Sequence, residues 1–157
     1  MTDSQVCYQD LRAYKYRVEN EYHQQVTGKL IPKEVAEVRR DSDQVLLLKL
    51  TPLGELTIYE GYAWDGPSGP TVDTPSFMRG SLVHDALYQL LRDTSYGEER
   101  KARRKAADKL LSHMCRIDGM GRLAAWVVYR GVRWFGESAA SPGGGVRAKV
   151  CAPLLSA

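Results

Sequence analysis

The chain has 157 residues, 43% of them hydrophobic and 26% charged, a composition typical of a globular domain. This length supports one domain with a hydrophobic core and is short for two. The net charge of +3 is too small to indicate nucleic-acid binding by itself. Three scattered cysteines offer neither a disulfide framework nor a CxxC metal pair, which favours a reducing compartment.

No targeting or membrane-spanning segment is recognisable in the sequence. The N-terminus, MTDSQVCYQD, lacks the basic stretch and apolar run of a signal peptide. The longest apolar run near the other end, LAAWVVY at 123–129, is too short to span a bilayer. These features predict a protein that is made and kept in a cytoplasm.

The first half of the chain has the patterns typical of strands. Apolar and charged residues alternate over 14–18 (YKYRV), and 34–38 is a weaker candidate strand. The run 45–51 is strongly apolar, the residues 52–55 (PLGE) have turn chemistry, and 56–62 returns as a further strand. We therefore expect a hairpin within a small antiparallel sheet.

The second half has helical periodicity. Apolar residues recur at helical spacing over 79–92, 98–116 and 122–135. Strands followed by helices predict an α+β fold, with a small N-terminal antiparallel sheet followed by a bundle of about three helices. We expect a single domain over 1–136 and a flexible, Gly- and Pro-rich tail over 137–157.

A long Gly- and Pro-rich segment, 61–80, joins the two halves. Long loops in small domains are uncommon and are usually either functional or disordered. The bulky Trp64 and Phe77 within this loop favour the functional interpretation.

The helix that follows the loop carries the polar cluster LVHDALY at 82–88. His84 and Tyr88 share a helical face, whereas Asp85 lies about 100° around the axis. The imidazole is suited to general-base catalysis, and the carboxylate is a hard oxygen ligand. Asp108 lies near the apolar face of the next helix, where an acidic residue is costly unless paired. We expect Asp108 to orient His84, with Tyr88 donating a hydrogen bond to Asp108.

A structural role for the same cluster is the alternative, because a lone histidine on an apolar helix is more often a satisfied core residue than a catalyst. Here His84 is accompanied by Asp85, Tyr88, Asp108 and an upstream Gly/Pro loop. This combination favours a functional site.

The segment HDALY with Asp108 resembles the catalytic pattern of secreted phospholipases A2. In that family a His-Asp-x-x-Tyr helix faces a second Asp on the partner helix, and an upstream loop binds Ca²⁺ through backbone carbonyls. The loop here is Trp64-Asp65-Gly66-Pro67-Ser68, and its Gly66 lies 19 residues before Asp85, a similar spacing.

The resemblance implies that His84 activates water and that Asp108 orients it. It implies Ca²⁺ held by Asp85 and by loop carbonyls near Trp64, Gly66 and Ser68. The metal and a loop N–H would stabilise the oxyanion of an attacked ester. The chain departs from the family pattern in three ways: it lacks the family's disulfides, the loop Cys and second Gly are replaced by Asp65 and Ser68, and the N-terminal β half has no counterpart.

A second resemblance covers residues 14–136 and is to the phage and prophage family named domain of unknown function 1353. The matching positions are Asp65, Ser68, Pro70, His84, Asp85, Leu87, Tyr88 and Asp108. This resemblance implies a phage context, with the host cytoplasm or the virion as location and phage structural proteins as partners, but it does not imply an activity.

The same residues allow other interpretations of the loop. Asp65, His84 and Asp85, together with Asp108, could bind a single Zn²⁺ or Mg²⁺ for peptide or phosphoester hydrolysis. In a metal-free alternative, Asp65 and Ser68 only cap turns.

Two further features have structural interpretations. The basic run RKARRK at 100–105 is predicted to be the solvated face of the second helix, although it could meet phosphate groups. Trp126, Trp134 and Phe135 lie at helical spacing and are predicted to be core anchors, although with Arg130 and Arg133 they could form an interfacial patch.

The leading hypothesis is a metal-dependent hydrolase that cleaves an ester or lipid, with cell-wall peptide as the next candidate substrate. A virion or assembly component in which the polar cluster is structural is the alternative from another class. A third hypothesis is a binder of a host factor through the loop 61–80. No clear nucleic-acid signal is present.

Overall fold

The computed structural model describes residues 8–10, 16–66, 74–94 and 96–136. Within these residues, seven strands precede three helices. The strands are β1 (Tyr8–Asp10), β2 (Tyr16–Val18), β3 (Tyr22–Gln25), β4 (Ala36–Arg39), β5 (Leu46–Leu50), β6 (Glu55–Ile58) and β7 (Ala63–Trp64). The helices are α1 (Pro75–Asp93), α2 (Glu99–Ile117) and α3 (Arg122–Phe135). The predicted α+β class is confirmed.

The strands form two antiparallel sheets, one with the order β1-β2-β7 and one with the order β3-β6-β5-β4. The predicted hairpin is β5–β6, with Leu48 opposite Ile58 and Leu50 opposite Leu56. Gly54 in its turn has φ +81°, a conformation that favours glycine. The short, mostly polar β3 (YHQQ) was not predicted, because its side chains lack the alternation of a half-buried strand.

Helix α1 begins four residues before its predicted start at residue 79. Pro75 occupies the first turn, where its missing N–H costs nothing and its fixed φ suits the helix. The predicted helices 98–116 and 122–135 are confirmed, as α2 and α3.

Helices α1 and α2 pack closely beside each other. A Cβ on Gly80 of α1 would stand only 3.0 Å from a Leu111 methyl and 3.2 Å from the Cys115 sulfur of α2. Arg79 donates from Nε to both carboxylate oxygens of Asp118, at 3.1 and 2.9 Å, just beyond the end of α2. These contacts hold the two helices in a defined register.

The main core lies between the four-stranded sheet and α1. It joins apolar side chains of the sheet, such as Leu48 and Ile58, with those of α1, such as Leu82 and Ala86. A smaller cluster joins the three helices through Phe77, Leu111, Cys115 and Val128. Helix α1 is therefore buried on most of its circumference, and its buried residues include the polar Ser81, His84 and Gln89.

Two predictions about side-chain environment were wrong. Trp126, Trp134 and Phe135 are not core anchors, because 56, 67 and 81% of their surfaces are exposed. The basic run at 100–105 is not wholly solvated, because Arg103 and Arg104 are each only 6% exposed. Both guanidinium groups have hydrogen-bond acceptors, which makes their burial tolerable.

Candidate functional site

The centre of the candidate site is a hydrogen bond between α1 and α2. His84 Nε2 lies 2.8 Å from Asp108 Oδ1, and both side chains are buried. The carboxylate can only accept when ionised, so Nε2 carries the proton. The contact expected from the sequence is therefore confirmed.

Two further groups bind the same carboxylate. The Tyr88 hydroxyl donates to Asp108 Oδ1 at 2.5 Å, and the Arg133 guanidinium of α3 donates to Oδ2 at 3.0 Å. Asp108 has no exposed surface, so these three donors replace the water that a carboxylate otherwise binds. All three helices thus meet at one buried negative charge.

Arg104 supports the cluster from α2. Its Nε donates to the Tyr88 hydroxyl at 3.2 Å, and its Nη2 donates to the carbonyl of Arg133 at 2.7 Å. The hydroxyl of Tyr88 therefore accepts one hydrogen bond and donates another. The guanidinium of Arg104 also places a positive charge beside the Arg133 carbonyl, near the C-terminal end of α3, where the helix dipole is negative.

The buried charges shift the protonation equilibria. Burial raises the pKa of Asp108, but hydrogen bonds from His84 and Tyr88 outweigh it and leave that pKa below its usual value. Burial lowers the pKa of His84, but the carboxylates of Asp108 and Asp85 outweigh it and leave that pKa above its usual value. Burial and the neighbouring Asp108 raise the pKa of Tyr88, which stays protonated as a donor.

The other imidazole nitrogen faces Asp85. His84 Nδ1 lies 3.8 Å from Asp85 Oδ1, which is too long for a hydrogen bond and short enough for an electrostatic contact. The Asp85 side chain is 32% exposed, against 7% for His84 and none for Asp108. The polar cluster therefore runs from a buried carboxylate, through the imidazole, to a partly exposed carboxylate.

Asp65 adds a second negative charge near Asp85. Burial raises the pKa of Asp85, His84 lowers it, and the charge of Asp65 raises it further. Asp65 itself is exposed and follows β7 directly. The charge of Asp65 therefore acts on Asp85.

The start of the loop is anchored by Trp64. Its side chain is buried, and its Nε1 donates to Ser81 Oγ of α1 at 3.4 Å. Gly66 has φ +74°, so the backbone turns here in a way that favours glycine. Ser68 lies outside the described residues, as do the tail 137–157 and residues 67–73 of the loop 61–80.

Sequence reasoning did not assign Arg104 and Arg133 to the site. A signal for Arg104 was available, because it lies four residues before Asp108 and so shares its helical face. Arg133 had no such signal, because its contact depends on how α3 packs against α2.

Within residues 8–10, 16–66, 74–94 and 96–136, no three His, Cys, Asp or Glu side chains cluster as metal ligands do. Among the helices of the same residues, none has the length and apolarity needed to cross a membrane.

Comparisons of this chain with protein-family models, with curated proteins and with solved structures found no match.

Proposed function

We propose that this chain is a small phage-type hydrolase in which His84 acts as a general base on water, with an ester as substrate. The observation that carries the proposal is the Asp108–His84 hydrogen bond through Nε2, which leaves Nδ1 facing the partly exposed Asp85. A base held in one tautomer by a buried carboxylate is the arrangement that water activation requires.

In the proposed reaction, Nδ1 of His84 takes a proton from water while the water oxygen adds to the ester carbonyl. The imidazolium, stabilised by Asp108, then returns that proton to the leaving alkoxide, and the products are an acid and an alcohol. Tyr88 and Arg133 would hold Asp108 in place, because each donates to one of its oxygens. These side chains are positioning residues and touch no reacting atom.

In the proposed reaction, a divalent cation would bind on the outer side of this cluster through Asp85 and Asp65. These two side chains would supply carboxylate oxygens, the kind of ligand that Ca²⁺ prefers. Backbone carbonyls near Trp64 and Gly66 would contribute further oxygen ligands. When bound, the ion would supply positive charge to the oxyanion of the attacked ester.

The positions of the carboxylates bear on which metal is preferred. Asp108 and Asp85 face opposite nitrogens of His84, and Asp108 is already held by Arg133. A single Zn²⁺ or Mg²⁺ bound by both carboxylates would have to displace these contacts. We therefore favour Ca²⁺ over the arrangement in which all four side chains bind one ion.

A structural role remains the second candidate, because one observation favours it. Asp108 is fully buried and has three protein donors, which is also how a core polar network is satisfied. In that case the chain would be a virion or assembly component, as the resemblance to the phage family also allows.

Substitution of His84 separates the two candidates. We expect His84→Gln to keep the fold and to abolish hydrolysis of phospholipid vesicles or short-chain esters assayed with Ca²⁺. Cell-wall peptide is the second substrate to test. A matched control is His113→Gln, which changes an exposed histidine on α2 and should leave the rate unchanged.

If the wild type hydrolyses no ester or cell-wall peptide with Ca²⁺, Mg²⁺ or Zn²⁺, and His84→Gln only lowers the melting temperature, the cluster is structural. Calorimetric titration of the wild type and of Asp85→Asn with Ca²⁺ tests the metal separately. We expect binding by the wild type and its loss in the variant.

A further inference from the structure

We infer that the outer face of α3 binds the surface of an anionic membrane. This outer face consists of Leu123, Trp126, Val127, Arg130 and Trp134. Its four apolar members are between 51 and 75% exposed. The inference does not rest on the chemistry proposed for His84.

The helical spacing places the outer face opposite the packed side of α3. Ala125 and Val128 are the buried residues of this helix, and they lie on the side that meets α2. The outer face is rotated by about half a turn from them, at 100° per residue. No other described element covers it, since more than half of each of its apolar residues is exposed.

Arg130 lies at the centre of this face and contacts both indole rings. Its guanidinium carbon is 4.6 Å from the Trp134 ring centroid and 5.7 Å from that of Trp126. Arginine and tryptophan side by side are suited to the headgroup region of a bilayer, where a ring can enter the apolar layer while the charge stays with phosphate.

The charge around the outer face is strongly positive. Residues 100–136 contain ten Lys and Arg but only two acidic residues, whereas the rest of the chain has twelve Lys and Arg and 17 Asp and Glu. Of the two acidic residues, Asp108 is buried and Asp118 is paired with Arg79. The remaining acidic residue of α2, Glu99 at its first position, pairs with Arg103 and Lys33, so the exposed charge of α2 and α3 is basic on balance.

Exposed basic residues also follow α2 beside α3. Lys101, Lys105 and Lys109 are spaced by four residues and are all exposed, as is Arg116. Each basic side chain near an anionic membrane contributes about 1 kcal/mol to binding, or about fivefold in affinity. Together with the apolar face they match a surface of negatively charged headgroups over hydrocarbon.

The charges and the apolar residues favour a membrane over other occupants. A second copy would bring two strongly basic faces together. The segment 137–157 carries Arg147 and Lys149 against one acidic residue, Glu137, and so offers no complementary charge. Leu123 and Val127 cannot stack on bases as aromatic residues do, which makes nucleic acid a poorer match.

The test is binding of the full chain to vesicles of phosphatidylcholine with and without phosphatidylglycerol. We expect binding to the anionic vesicles, a blue shift of tryptophan emission, and weakening by salt. Leu123→Ser combined with Trp126→Ser should reduce the partition coefficient about tenfold or more, because two large side chains no longer enter the apolar layer. Leu53→Ser, at a turn residue that is 77% exposed, is the matched control and should have no effect.

Charge reversal tests the electrostatic part. Lys105→Glu on α2 should weaken binding to anionic vesicles at least about fivefold, and Lys29→Glu, at an exposed site in the N-terminal half, should not. All these positions are exposed, so the variants should keep the wild-type melting temperature. Binding should survive in His84→Gln, which separates this proposal from the proposed hydrolysis.

Four outcomes would overturn the inference. Two concern vesicles: the wild type fails to bind anionic vesicles, or the Leu53 control loses as much binding as the double variant. The third is a dimer in ultracentrifugation that the double variant dissociates. The fourth is DNA binding that the double variant abolishes while its vesicle binding is unchanged.

Discussion

The buried carboxylate of Asp108 allows a quantitative prediction. Asp108→Asn keeps the shape of the side chain but removes its charge. The amide oxygen can still accept from His84 and Tyr88, whereas the amide nitrogen then faces the Arg133 guanidinium, donor against donor. The substitution therefore weakens two hydrogen bonds and removes a third.

The expected loss follows from the burial of each partner. A hydrogen bond to a charged group contributes about 1.5–3 kcal/mol, and a neutral acceptor contributes roughly half of that. The Arg133 side chain is 29% exposed, so water can replace part of the hydrogen bonding that its guanidinium loses in the variant. We expect Asp108→Asn to lower the free energy of unfolding by about 2–4 kcal/mol.

Urea unfolding followed by circular dichroism measures this loss, with Glu37→Gln as the control. Glu37 and Arg39 form an exposed ion pair with a separation of 2.9 Å, so breaking it should cost less than about 1 kcal/mol. If Asp108→Asn costs no more than the control, the three-donor arrangement around Asp108 is not present in solution and the reasoning fails.

Three further predictions follow from single features. Gly54→Ala should lower the free energy of unfolding by at least about 2 kcal/mol, because Gly54 has φ +81° and a Cβ there would stand 2.4 Å from the Val26 carbonyl oxygen. An unchanged midpoint of urea unfolding would contradict this turn geometry. Burial raises the pKa of the Cys115 thiol to about 12, so iodoacetamide should modify this thiol only after the protein unfolds. Site-resolved mass spectrometry measures the modification, and rapid modification of the folded protein would contradict the burial of Cys115. The pKa of His84 is higher in the folded state than in the unfolded state, where it is about 6.5. The pairing of His84 with Asp108 therefore stabilises the fold most below pH about 6.5, and this stabilisation is lost as the pH rises through the folded-state pKa. The stability difference between wild type and His84→Gln should therefore shrink with rising pH, and a constant difference would count against the charged pair.

The contact between His84 and Asp108 could be predicted from the sequence because two physical requirements converge on it. A carboxylate on the apolar side of a helix needs a partner, and a short connection places the next helix antiparallel to the first. The donor from α3 could not be predicted in this way. Arg133 reaches Asp108 only because α3 packs along α2, and nothing in the local sequence specifies that packing.

Helical periodicity also could not show which apolar residues are covered. The spacing of Trp126 and Trp134 establishes that the two residues share a face, but burial of that face requires another element, and α3 packs through Ala125 and Val128 instead. The same limit explains why the burial of Arg103 and Arg104 was not predicted. Their charges suggested exposure to solvent, but hydrogen-bond acceptors on neighbouring elements allow both side chains to be buried.

The α+β class, the β5–β6 hairpin, the three helices and the pairing of His84 with Asp108 could all be predicted from the sequence. These depend on local periodicity, on turn chemistry and on the high cost of an unpaired buried charge. The hydrogen bond from Arg133 to Asp108 and the exposure of Trp126 and Trp134 became visible only in the folded chain. Both depend on which faces of distant segments meet, and periodicity within one helix does not encode that choice.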